Sequence, residues 1–250
     1  MPRYFIELAY KGTRYSGFQI QQNALTIQAE LEKAMQVYFR QPFSLTGSSR
    51  TDAGVHARQN YFHFDTALPI AQDQVYNLNA LLPGDIAVKR IVQVPEEAHC
   101  RFHAIAREYR YYIYRLKDPF LADRAYFYPY KLEPAVLNEA AAVIKEYRDF
   151  TSFSKRNTQV KTFFCDIALA EWTTEKDGLV FHVKANRFLR GMVRGLVGTM
   201  LKVGRGSMSI NGLRQVIEAK NCAGADFSAP PQGLFLETVH FPENILPVGE

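Results

Sequence analysis

The chain has 250 residues, of which 47% are hydrophobic, and carries a formal net charge of +5. That length supports one large domain or two packed halves with ample core material, and the mild basic bias admits a polyanion as partner. No stretch reaches the apolar length of a membrane span, and the opening MPRYFIELAY lacks the apolar core of a secretion signal, so a soluble cytoplasmic protein is expected.

Cys100, Cys165 and Cys222 lie far apart with no C-x-x-C pair, so neither a zinc ribbon nor a disulfide framework is suggested. They read as structural thiols in a reducing compartment. His99, His103 and His182 show no metal spacing with them, and no metal is expected.

Taken in order, RYFIELAY (3–10) alternates like a strand and is broken by KGT. TIQAELEKAMQVYFR places Ile27, Leu31, Ala34, Met35 and Tyr38 on one helical face. PFSLTG reads as a strand, and RQNYFHFDT as another with Phe62 and Phe64 on one side. AQDQVYNLNALL predicts a helix ended by PGD, and DIAVKRIVQV a further strand. Residues 1–95 thus run β-α-β-β-α-β.

The second half repeats this order with one added helix. IAREYRYYIYRL (105–116) is a strand in which Tyr109 and Tyr111 share one face. EPAVLNEAAAVIKEY is a helix with Pro134 in its first turn. TFFCDIALAEWTTEKDGLVFHVKA reads as two strands around a KDG turn. FLRGMVRGLVGTMLKV predicts a helix from Phe188 to Gly204, followed by a helix in SINGLRQVIEA and a strand in GLFLETVHF. Both halves fit the split-βαβ, ferredoxin-like order. The expected division is 1–100 and 101–250, two α+β halves with a joined, mostly antiparallel sheet and a cleft between them.

No acidic residue occurs between Asp177 and Glu218, while Lys184, Arg187, Arg190, Arg194, Lys202, Arg205 and Arg214 do. Arg187, Arg190 and Arg194 stand at i, i+3 and i+7, one face of the helix expected from Phe188. Most solvated faces mix signs, so this run favours polyanion binding. A second basic patch, SKRNTQVK, carries Lys155, Arg156 and Lys161.

The stretch GSSRTDAGVHAR (47–58) sets Asp52 among small residues, with Arg50, His56 and Arg58 around it. A plain turn, an arginine partner and a catalytic carboxylate are all open readings of Asp52. The phosphate-loop ending is missing. His56 reads as a hydrogen-bonded structural histidine.

RTDAGVHA (50–57) resembles the signature of the TruA family of tRNA pseudouridine synthases. The opening Y-K-G-T-x-Y-x-G-F-Q (10–19), NALLPGDIAV, RFHAIAREYRYYIY, DFTSF and KANRFLRGMVRGLVGTMLKVG follow in that family's order and spacing. The resemblance implies the pseudouridine synthase fold. It implies isomerisation of uridine to pseudouridine in the tRNA anticodon stem-loop, at positions 38–40, by a homodimer without cofactor, metal or small-molecule partner. It assigns Asp52 as the catalytic carboxylate, Tyr109 as the ring packing on the target base, and Arg194 as the partner of the carboxylate. Arg50 matches an arginine that helps extrude the nucleotide. Arg58, Lys155, Arg156, Lys184, Arg187 and Arg190 complete the expected RNA-binding set. Ser49, Gln59-Asn60 and Phe18 depart from the family's more common Gly, Gly-Gln and Trp. Other RNA targets, a non-catalytic tRNA-binding protein and an Asp-dependent hydrolase are the rival readings. The hydrolase would want a second carboxylate that no motif supplies.

Overall fold

The computed structural model describes residues 1–155, 160–175 and 178–247. The chain divides into two compact units, 1–106 with 236–250 and 107–235.

The first unit contains β1 (Arg3–Tyr10), α1 (Ile27–Phe39), β2 (Thr46–Gly47), β3 (His56–Asp65), α2 (Gln74–Leu81) and β4 (Ile86–Val94). Its strands are hydrogen-bonded in the order β4-β1-β3-β2, and every pair is antiparallel. That is the split-βαβ order the sequence pattern predicts. The Thr26 hydroxyl caps α1 by accepting the Ala29 N–H, and Ile27, Leu31, Ala34 and Met35 are buried as expected. Tyr38 is only half-buried. The strand expected over PFSLTG contracts to Thr46–Gly47. Phe62 and Phe64 lie on one side of β3: Phe62 stacks on Phe18 at 4.3 Å, and Phe64 meets Phe43 edge-on at 5.5 Å.

The opposite side of β3 is also covered. Tyr61 meets Phe241 edge-on at 5.2 Å and donates to Glu7 Oε2 at 2.7 Å. Burial would raise the Glu7 carboxyl, but donors from Tyr61, Arg90 and Gln59 hold it below its ordinary value. An extra residue in β3 between Ala57 and Asn60 breaks the register with β1. This bulge lies just after the GSSRTDAGVHAR stretch.

The second unit contains β5 (Ala106–Tyr114), β6 (Tyr126–Phe127), α3 (Pro134–Ile144), β7 (Ile167–Glu175), β8 (Gly178–Ala185), α4 (Met192–Gly204) and α5 (Ile210–Glu218). β9 (Leu234–His240) begins in this unit at Leu234 and Phe235, beside β5. β5, β8 and β7 follow one another as an antiparallel run, with Tyr109 opposite Val183 and Tyr111 opposite Phe181. Tyr109, Tyr111 and Ile113 are buried and Arg110 and Tyr112 are not, so the expected alternation holds up to Ile113, after which Tyr114 is buried as well. β6, the short parallel partner of β5, has no signal in its sequence. The KDG turn falls on Lys176 and Asp177, outside the described residues. Both units repeat one α+β plan with mostly antiparallel strands. No helix among the described residues is long and apolar enough to cross a membrane.

One sequence expectation is corrected. α4 starts at Met192, not near Phe188. Gly191 precedes it with φ 75°, a left-handed conformation that ends the helix backwards. Arg187 and Arg190 therefore lie outside the helix, and only Arg194 is on it. The i, i+3, i+7 face does not exist.

Candidate active site

Asp52 sits on a loop that two glycines of the opening block make possible. A Cβ on Gly12 would stand 2.0 Å from the Val55 carbonyl oxygen, and one on Gly17 would stand 3.1 Å from that of Thr51. Without side chains there, residues 12–18 lie directly against 51–55. Backbone bonds then lock the pair: Phe18 N–H donates to Thr51 O at 3.1 Å, and Gly54 N–H donates to Tyr15 O at 3.3 Å. Gly54, at φ 78°, allows the turn in which Val55 N–H donates to Asp52 O at 3.2 Å.

His56 takes the role expected of it. It is 1% exposed, and its Nδ1 accepts the Gly12 N–H at 3.0 Å, an acceptor that the ring protonated at Nε2 supplies. It ties the loop to the opening block. The Asp52 side chain is half-buried, and Arg50 is exposed and forms no ion pair with another described residue. Arg58 is exposed and pairs with Glu237 at 3.1 Å.

In the second unit Tyr109 is 9% exposed, and Phe188 meets its ring edge-on at 5.0 Å. Phe188 was not singled out by sequence reasoning; its only signal is an aromatic just past the β8 strand. Arg194 is the third residue of α4. Its Nε donates to Ala229 O at 2.6 Å and its Nη2 to Phe227 O at 3.5 Å. Gly195 and Gly198 are why those carbonyls come so near. A Cβ on Gly198 would stand 2.3 Å from Asp226 O, and one on Gly195 2.9 Å from the Phe227 ring. The bare helix face lets 226–229 lie on α4, and the Thr199 hydroxyl accepts the Asp226 N–H at 3.0 Å. These two carbonyls fix the orientation of the guanidinium.

Basic residues gather at the start of α4 by a route the pattern did not foresee. Lys155 N–H donates to Arg190 O at 3.1 Å, and its side-chain carbons pass 3.1 Å from the site a Gly191 Cβ would take. Gly191 offers α4 no side-chain cap, and no acidic residue occupies the first turn. Lys155, Arg190 and Arg194 thus surround the positive end of a helix dipole. Lys184 differs: it lies opposite Glu108 across the β5–β8 pair and forms an ion pair with it at 3.1 Å. Arg187 is half-buried in the turn after β8, and Arg156 lies outside the described residues.

The fold also brings His63 beside the sequence neighbours His99 and Cys100, with their nitrogen and sulfur atoms within 4.8 Å of one another. Their bonding is that of a packed cluster. Cys100 Sγ lies 3.2 Å from His63 Nδ1 and 3.1 Å from Thr46 O. His99 Nδ1 accepts N–H groups from Arg101 and Phe102 at 3.1 and 3.3 Å. The two imidazoles meet edge to face with centroids 4.5 Å apart. Burial pushes the His63 imidazole down to about 4, with His99 and Arg3 adding to the effect.

This duplicated α+β plan, with a carboxylate on a glycine-clamped loop and an arginine oriented by two backbone carbonyls, belongs to a known class. Residues 8–103 and 147–242 match the family described as tRNA pseudouridine synthase, and the chain belongs to that family of isomerases. It is 49% identical to the tRNA pseudouridine synthase A of Parabacteroides distasonis, over 99% of each chain. It is 48% identical to the protein of that name from Bacteroides fragilis, over 97% of this chain and 98% of the relative. For the one from Staphylococcus aureus the identity is 38%, over 98% and 92%.

Proposed function

We propose that this enzyme isomerises uridines 38–40 of the tRNA anticodon stem-loop to pseudouridine, with Asp52 as the essential carboxylate. The C1′–N1 bond breaks, the base turns, and a C1′–C5 bond forms. The C5 hydrogen leaves to solvent and N1 gains one, so no redox partner or cofactor enters. The glycine-clamped Asp52 loop carries this reading: a half-buried carboxylate on a loop fixed by backbone hydrogen bonds is a reactive group in a fixed place. Tyr109 packs on the target base, and Arg194 is the cationic partner of the carboxylate. Tyr109 serves as a stacking surface for the base.

Arg50 aids extrusion of the nucleotide, which cannot be reached while stacked in a stem. Arg58, Lys155, Arg156, Arg187 and Arg190 contact phosphates, as does Lys184 if RNA displaces its bond to Glu108. The enzyme works as a cytoplasmic homodimer. The N-terminal half, 1–100, carries the Asp loop, and the C-terminal half, 101–250, carries the basic segment.

Tritium release from tRNA transcripts carrying 5-tritiated uridine tests the proposal, since isomerisation leaves mass unchanged. Release by wild type and none by Asp52→Asn, with tRNA binding retained by both, is the expected result. Turnover by the Asn variant would remove Asp52 from the chemistry. Release from other RNAs but not from the anticodon stem-loop would replace the substrate.

A further inference from the structure

Asn60 is a polar residue in the middle of a strand, opposite Leu8 of β1, and is 0% exposed. An apolar side chain is the ordinary occupant of such a place. Every polar atom of this one is used. Its Oδ1 accepts the N–H groups of Ser49 at 3.3 Å and Tyr61 at 2.9 Å. Its Nδ2 donates to Ser49 O at 2.8 Å and to the Tyr10 hydroxyl at 3.0 Å. The Tyr10 hydroxyl in turn lies 2.8 Å from Thr51 Oγ1.

These bonds converge on one short segment. Ser49 is gripped at both its N–H and its carbonyl, and Thr51 at its side chain through Tyr10. Arg50 lies between them and Asp52 follows directly. Tyr10 and Thr51 are 5% and 7% exposed, so the relay is shielded from water and its geometry is stiff. The bulge between Ala57 and Asn60 sits immediately before the residue that makes these bonds, where it re-aims the strand.

We propose that Asn60 is a positioning residue for the isomerisation: through Ser49, and through Tyr10 and Thr51, it sets the backbone that aims Arg50 and Asp52. The proposal rests on Asp52 being the reactive carboxylate. Asn60 touches no substrate; it acts by holding the groups that do.

The test uses full-length Thr51→Val, Thr51→Ser, Tyr10→Phe and Asn60→Leu, with Asp52→Asn as the reference. Single-turnover tritium release, tRNA Kd, melting temperature and amide exchange over residues 49–55 are read for each. Thr51→Val and Tyr10→Phe should slow the chemical step about tenfold and Asn60→Leu about 100-fold, with Kd within about threefold of wild type. Thr51→Ser, which keeps the hydroxyl, should restore the rate to within about twofold. A purely structural role would lower the melting temperature and leave the rate of the folded enzyme alone. Should Asn60→Leu fail to fold, the Thr51 pair and Tyr10→Phe decide. Inactive Asp52→Asn beside Thr51→Val and Tyr10→Phe at wild-type rates would overturn the positioning role and leave the site reading intact. Turnover by Asp52→Asn would instead remove the site reading; unchanged exchange at Ser49–Val55 in Thr51→Val would then overturn the network as well.

Discussion

The loop around Asp52 and the approach to α4 carry the two clearest motifs in the chain, yet they are built on different principles. The loop is held from several directions by short contacts: Gly12 beneath Val55, His56 on the Gly12 N–H, and Asn60 on both sides of Ser49. The approach to α4 depends on one backbone angle at Gly191. Three arginines with helical spacing looked like a face. A single left-handed residue separates them into a turn and a helix. A motif defined by several mutual constraints can be read from its residues, whereas a helix boundary depends on which of several weak signals prevails.

That contrast can be tested by substitution, beginning with the largest effect. Gly12→Ala forces a carbon 2.0 Å from a backbone oxygen that cannot swing aside. It should destabilise the fold by roughly 2–3 kcal/mol and slow turnover, read by denaturant melts and tritium release. A neutral result would show that the loop is not clamped by close approach.

The next effect is pH-dependent. His63 has a folded value near 4, below the ordinary 6.5. The unfolded chain therefore binds the extra proton between those values, and stability is lost as pH falls from 6.5 towards 4. The loss should reach the order of 2 kcal/mol, and His63→Gln should flatten that part of the profile of denaturation midpoint against pH. Its effect belongs to the first unit and should leave the start of α4 untouched.

Gly191→Ala should cost about 1 kcal/mol, the strain of a left-handed alanine. The Cβ meets only the flexible side chain of Lys155, which can move. Comparing its melt with that of Gly12→Ala measures how far backbone contact outweighs backbone angle.

The smallest effect separates two arginines. Arg190→Ala should weaken tRNA binding a few-fold and reduce the salt slope by about one unit. Arg194→Ala should chiefly lower the rate, since its guanidinium is anchored by Ala229 and Phe227. Equal changes in salt slope for both would restore the single basic face that the α4 boundary denies.

How much was legible in advance follows the same division. Strands with period-two alternation, such as Arg3–Tyr10 and Ile86–Val94, were read to within a residue or two because their side chains report the face they occupy. The helices in TIQAELEKAMQVYFR and SINGLRQVIEA were legible too, while their caps, Thr26 and Ser209 accepting an orphan N–H, emerged only in the fold. Asp52 stood out through its motif, and His56 through its place in it. β6 escaped because a two-residue parallel strand has no period to detect. Phe188, Asn60 and the 226–229 carbonyls escaped because their partners are remote in sequence; Asn60 reaches Tyr10 across 50 positions.

By itself the sequence determined the repeated order of elements, the glycines at 12, 17 and 54, and the family to which the chain belongs. Those are local or pattern properties, carried by periodicity and by residue types that few backbone shapes accept. Tertiary structure alone decided where α4 begins, that Lys184 is paired with Glu108, and that a buried amide holds both neighbours of Arg50. The physical reason is common to these three. Hydrogen bonds and ion pairs act over about 3 Å, and only the folded chain determines which groups come that close.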